Sequence, residues 1–224
     1  MFKIGDKRLD GSWLDGAQAR FEKDNDALVL QTRALLARIV PDAPLHGRFI
    51  NTLSLLEHMG SHKIMATQHG AAIDQATLKH IAEEGHHAYF MKRQAEKAAQ
   101  RPLEYRSPDL LAPAAARMYF QRLESSLVRM LAAQLSAHAA YLYMSLIVEF
   151  RALWFYRLYQ HTLKRLGHAM SLTRVLGEEQ SHLGDIAHRL AMGGELSNAR
   201  VTAFLEVEKR LYERVLVAMQ RAAG

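Results

Sequence analysis

The chain contains no cysteine, which excludes thiol nucleophiles, disulfides and thiolate metal sites. Proline and glycine are scarce, at 5 and 13 of 224 residues, so few breaks interrupt the chain and long elements are expected. The opening stretch MFKIGDKRLDGSW has no apolar core segment and carries charge at short intervals; it does not read as a secretory signal, and cytoplasmic residence is the expectation. Charge of one sign does not accumulate: 29 Lys and Arg face 23 Asp and Glu, for a net +6 and a pI near 9.6, with no nucleic-acid motif around the basic groups. That balance leaves RNA open as a partner without arguing for it. One stretch, Met130 to Val148, runs 19 residues without Asp, Glu, Lys or Arg, long enough to span a bilayer. Gln134, Ser136, His138 and Ser145 interrupt it, and Glu149 and Arg151 follow at once, so a helix buried in a bundle is the better reading and no membrane is expected.

What is present is apolar side chains, 49% of the chain, recurring at spacings of three and four almost throughout. The pattern predicts an irregular start to about Gly16 and helices over 18–39, 45–68 and 75–99. HGAAID forms the turn before the third, and Asp74 is placed to cap it. Helical spacing resumes at 110 and continues to about 163, too long for one globular helix, so a kink or break is expected near 131–136. Further helices cover 169–191 and the stretch to about 221. The expectation is one all-helical domain over 1–224.

Twelve histidines and the acidic residues then become the chemistry to place. In HIAEEGHHAYF, Glu84 and His87 stand three apart and share a helix face with Ile81 and Met91. In EEQSH, Glu179 and His182 repeat the spacing among Leu172, Val175, Leu176 and Ile186. Glu57 lies in line with Ile50, Leu53 and Ile64, and Glu149 near Leu142, Leu146, Leu153 and Tyr156. Carboxylates on such stripes are costly unless paired, protonated or metal-bound. Glu57 and Glu84 are 27 residues apart with their midpoint at Gly70 and Ala71, inside the predicted turn. Each arm of an antiparallel hairpin is then about 20 Å long and the two glutamates meet at one height. Glu149 and Glu179, 30 apart with a midpoint at Lys164, do the same around LGH.

One Glu on each first arm and Glu-x-x-His on each second arm is the pattern of the ferritin-like di-iron carboxylate proteins, which residues 45–190 resemble. The resemblance implies a four-helix bundle of two antiparallel hairpins with extra helices at both ends. Its metal ligands, also the catalytic residues, would be Glu57, Glu84, His87, Glu149, Glu179 and His182, with Glu84 and Glu179 able to bridge. The cofactors implied are two iron ions, manganese or a mixed pair being alternatives, with dioxygen as oxidant. Glu83 and Glu178, each four residues before its histidine, are expected to accept the imidazole proton that faces away from the metal.

The activity implied is an oxygenase or oxidase, a monooxygenase included, acting on a small molecule with electrons from a separate donor. The family also contains a tRNA-modifying enzyme. A ferritin- or rubrerythrin-like protein handling iron or peroxide, and a metal-stabilised helical scaffold, stay open beside it; a haem-oxygenase-like bundle is the rival fold. A homodimer is the expectation for the exposed helical faces. His58, His62, His80, His86 and His188 are read as surface or ordinary helix histidines, Tyr89, Tyr143, Trp154 and Tyr156 as aromatic packing before pocket residues, and Met91 and Met144 as core.

Overall fold

In the computed structural model, residues 12–68, 73–131 and 136–224 are described. They form helices and connections without a strand: α1 (Ser12–Asp24), α2 (Asp26–Ile39), α3 (Ala43–Ala66), α4 (Gln75–Ala99), α5 (Pro113–Leu131), α6 (Ala137–Arg165), α7 (Thr173–Met192) and α8 (Asn198–Ala222). The all-α expectation holds among these residues. No helix among them is long and apolar enough to cross a membrane.

Local chemistry sets most boundaries. Asp42, Asp74, Ser136 and Ser197 accept from the backbone N–H three residues on, capping α3, α4, α6 and α8. Gly167 and Gly194, at φ +66° and +69°, stand two residues past the ends of α6 and α7 and turn the chain out of each helix. The predicted turn HGAAID has residues 69–72 outside the described part, as has the core of the expected break, 132–135; α5 ends and α6 begins on either side of the latter.

Four expectations need correction. The first helix begins at Ser12, not 18, because Gly16 sits where nothing crowds it and is tolerated within α1. The helix drawn over 18–39 is two, broken at Asn25. This side chain is buried, donates to Phe21 O at 2.8 Å and accepts from Arg151 Nη2 at 2.7 Å, bonds that compete with a continuous helix. Helix α5 starts at Pro113, not 110, with Leu110 and Leu111 buried in the preceding irregular segment. Helix α7 starts at Thr173, not 169; the side chain of Gln160 holds the Leu172 N–H at the entrance.

Helices α3 and α4 approach closely along a row of small residues. A Cβ on Gly47 would meet Ala95 O at 3.1 Å, Ser54 Oγ donates to Ala88 O at 2.6 Å, and Ser61 Oγ donates to Ile81 O at 3.2 Å. These contacts share one antiparallel register, in which Glu57 lies level with Glu84. Helix α6 packs against α7, and α4 also faces α7, joining the two hairpins. Helix α6 is buried on most sides because α2, α5 and α8 cover the surface that α7 leaves. The site therefore lies within the bundle, with α5 and α8 closing one flank.

Candidate metal centre

Glu57 of α3, Glu84 and His87 of α4, Glu149 of α6, and Glu179 and His182 of α7 are all buried and converge between the hairpins. Two overlapping donor groups result. Glu57, Glu84, His87 and Glu179 form one, and His80, Glu84, Glu149 and His182 the other, the donor atoms of each lying within 4.8 Å of one another. Each group could hold a metal ion. Glu84 belongs to both. Glu179 also reaches both sides, its Oε1 3.3 Å from His87 Nδ1 and its Oε2 3.4 Å from His182 Nδ1.

The hydrogen bonds define which atoms face the centre. His87 Nε2–H donates to Glu178 Oε2 at 2.8 Å, and His182 Nε2–H donates to Glu83 Oε2 at 2.8 Å. The imidazole-to-carboxylate contacts exist, but their partners are exchanged: each glutamate serves the histidine of the other hairpin, not the one four residues along its own helix. Arg174 Nε donates to Glu178 at 2.8 Å and Lys79 Nζ stands 3.3 Å from Glu83. Those cations and the imidazoles outweigh burial and hold both outer carboxyls below the ordinary range. With Nε2 engaged, Nδ1 of His87 and of His182 points inward. Both are buried without a hydrogen-bond partner, as are Glu84 Oε1 and both carboxylate oxygens of Glu179. Five unsatisfied donor atoms at one place cost far more than an ordinary core tolerates, and a bound cation would satisfy them together.

Electrostatics express the same frustration. Burial pushes the Glu57 carboxyl well up, and Glu84 and Glu179 push it further; burial and Glu149 raise Glu179. Burial opposes charge on the imidazoles too, but surrounding carboxylates win, taking His80 to about 9, His87 to about 10 and His182 to about 12. Against its own burial, Glu149 is held down to about 2 by His182 and His80. Without a metal, protons on imidazole supply the positive charge that the carboxylates require.

His80 was read as an ordinary helix histidine; the structure puts it in the cluster, Nε2 3.0 Å from Glu149 Oε1. Its position four before Glu84 on the buried stripe was the available signal. Tyr156 donates its hydroxyl to Glu57 Oε1 at the edge of the centre. Tyr89 is 58% exposed and packs in no core. Tyr143 is core, donating to Glu195 O at 2.6 Å, and Trp154 stacks beside Arg151. His86 and His188 are exposed, and His58 and His62 pair with each other, rings 4.7 Å apart. Met91 is fully buried and Met144 partly so.

Sequence periodicity also missed Arg151 and Glu208, a buried pair next to the site. Arg151 donates through Nε and Nη2 to the two oxygens of Glu208 at 2.8 and 2.7 Å, and Tyr119 donates to the same carboxylate at 2.8 Å. The guanidinium lies over Tyr212, Trp154 and Phe21, 4.1, 4.7 and 4.8 Å from their ring centres. Two cavities adjoin the carboxylates from the α3–α5–α6 side. The inner, ≈ 120 Å³, is lined by Glu57, Glu84, Glu149 and Glu179 and otherwise mainly by apolar side chains. The outer, ≈ 330 Å³, shares Glu84 and Glu149 and includes His80.

Comparison with known proteins finds no match to any protein-family model, any curated protein or any solved structure.

Proposed function

We propose that the chain is a ferritin-like di-iron oxidoreductase that activates dioxygen to oxidise or hydroxylate an organic substrate. The observation that carries this reading is the set of five buried, partnerless donor atoms on Glu84, His87, Glu179 and His182, aimed at a common space while each imidazole's other nitrogen is held by a carboxylate. Carboxylate and imidazole donors suit iron or manganese, and the chain's residues fit the pair: His87, Glu57 and His182, Glu149 at the flanks, Glu84 and Glu179 between, and His80 as a further donor beside Glu149. When bound, the metals would supply the electron transfer to dioxygen that side chains cannot.

The protein's own part is to orient the donors through Glu83 and Glu178, to keep Glu57 in place through Tyr156, and to exclude water with the apolar cavity wall. A hydroxylation would consume one dioxygen, two electrons from a separate donor and two protons, yielding the alcohol and one water. The apolar wall against the carboxylates favours an organic substrate over a protein that only stores iron or removes peroxide.

The test joins metal content to turnover. Glu84→Ala and Glu179→Ala should each cut the two metals per chain to one or fewer by elemental analysis, and iron-loaded wild type should consume dioxygen only with a reductant and an oxidisable substrate. Unchanged metal content in both variants would remove the centre; mineral loading or peroxide turnover without organic product would favour iron handling.

A further inference from the structure

The two cavities adjoin end to end, sharing Gly60, Glu84, Phe120, Val148 and Glu149, and together trace one route. On α3 the outer cavity is lined from Thr67 to Gly60 and the inner from Gly60 to Leu53; on α5 the division falls at Phe120, and on α6 at Val148 and Glu149. The route thus runs along the helix axes, and Gly60, Phe120 and Val148 mark the neck between its chambers. The carboxylates of Glu84 and Glu149 border both chambers, so the metal centre lies beside the neck and not at the far end of the inner chamber. At the neck, a Cβ at position 60 would come into ordinary contact with Glu84 Oε2, 3.4 Å away.

The ends differ in chemistry. The outer chamber is bordered by exposed Thr67, Glu124 and Val128, with Lys63 Nζ 2.5 Å from Glu124 Oε2 across its rim. The far end of the inner chamber is made by Leu53, Ala116, Phe155, Leu216 and Met219, whose one polar atom is the weakly accepting Met219 sulfur, while Tyr119, Arg151 and Tyr212 contribute to its side wall. From Gly60 to Leu53 the inner chamber continues for roughly 10 Å past the neck, at the helical rise per residue. A polar group at that end would lose its hydration for little in return, whereas an alkyl segment would gain from burial.

We infer that the substrate is an amphiphile with a linear hydrocarbon tail, which enters tail first and passes the metal centre, leaving its polar head between Lys63, Thr67 and Glu124. The inference rests on the oxidoreductase reading for the name "substrate", but the binding itself needs no metal. The position offered to the centre is an internal carbon of the tail, because the chain continues beyond the neck. Distance from the head fixed at the rim selects that carbon.

The experiment is isothermal calorimetry of two probe series, straight-chain alkanols and alkanoates from butyl to dodecyl, with the metal content of every sample measured. Affinity should rise about fourfold per methylene and then level off when the inner chamber is full. Ala116→Leu shortens the chamber and should move the plateau to shorter chains; Met219→Ala lengthens it and should move the plateau to longer ones. Because the shifts have opposite signs, either variant that retains its fold by circular dichroism suffices. Lys63→Gln should weaken alkanoates relative to alkanols if the head is anionic, and leave their ratio unchanged if it is neutral; both results keep the tail-first route. Affinity independent of chain length, or a plateau unmoved in a folded variant, overturns it. A chain-length ladder in protein that takes up no metal would keep the route and sink the oxygenase reading; metal uptake without the ladder would do the reverse.

Discussion

Two buried charge centres lie a few residues apart on α6, and they solve burial in opposite ways. Arg151 and Glu208 neutralise one another: both carboxylate oxygens of Glu208 accept charged or hydroxyl donors, and three aromatic faces surround the guanidinium. Around Glu149, acidic groups outnumber their partners and the inward atoms of Glu84, Glu179, His87 and His182 have none. In the first centre the two charges cancel and one buried atom, Arg151 Nη1, lacks a hydrogen bond. The second is complete only with positive charge added, which protons can supply poorly and metal ions well. A buried ion pair that joins α6 to α8 thus differs from a cluster whose donors could hold a metal ion.

Three measurements would sharpen or break this contrast. The largest effect is expected from Glu208→Ala, which strands the Arg151 guanidinium and should cost about 3–5 kcal/mol in urea unfolding, with metal stoichiometry unchanged in the folded fraction. A loss of metal with unaltered stability would mean that the two centres are not separate.

Next comes pH. In metal-free protein His80 is raised from 6.5 to about 9, so the folded state holds a proton that the unfolded state releases between those values. Its contribution is full below pH 6.5 and is lost as pH rises through about 9, a change on the order of 3 kcal/mol; His87 and His182 extend the decline upward. Metal loading should flatten this alkaline slope, since the cation replaces the protons. Equal slopes in loaded and metal-free protein, read from chemical melts across pH 6 to 10 on the order of one unit apart, would contradict it.

The smallest effect belongs to the outer carboxylates. Glu83→Gln should weaken metal binding about 10- to 100-fold with little change in fold, and because of the exchanged pairing it should alter the surroundings of His182 and leave those of His87 nearly as they were. Glu178→Gln should do the converse. Histidine ring NMR in each variant reads the difference, and perturbation of the histidine on the same helix alone would refute the crossed arrangement.

Much of this was legible in the chain. Apolar spacing located the long helices, and the interval from Glu57 to Glu84 anticipated the register that Gly47, Ser54 and Ser61 now hold. The parts that were not legible depend on partners distant in sequence. Asn25 breaks a helix because it meets Arg151, 126 residues on. Glu83 and Glu178 lie within reach of their own histidines by helical spacing, yet the side chains bond across the interface between α4 and α7, a choice periodicity does not encode. His80 has the same stripe position as Glu84, but its engagement depends on Glu149 of α6. Glu208 occupies the buried face of an otherwise ordinary amphipathic helix, and only its meeting with Arg151 distinguishes it.

The most direct measurement is anomalous diffraction at the iron and manganese edges on crystals of protein purified without added metal. Two neighbouring peaks are expected, one among Glu57, Glu84, His87 and Glu179 and the other among His80, Glu84, Glu149 and His182. Crystals that show no anomalous scatterer there at either edge, before and after soaking with ferrous iron, would contradict the account.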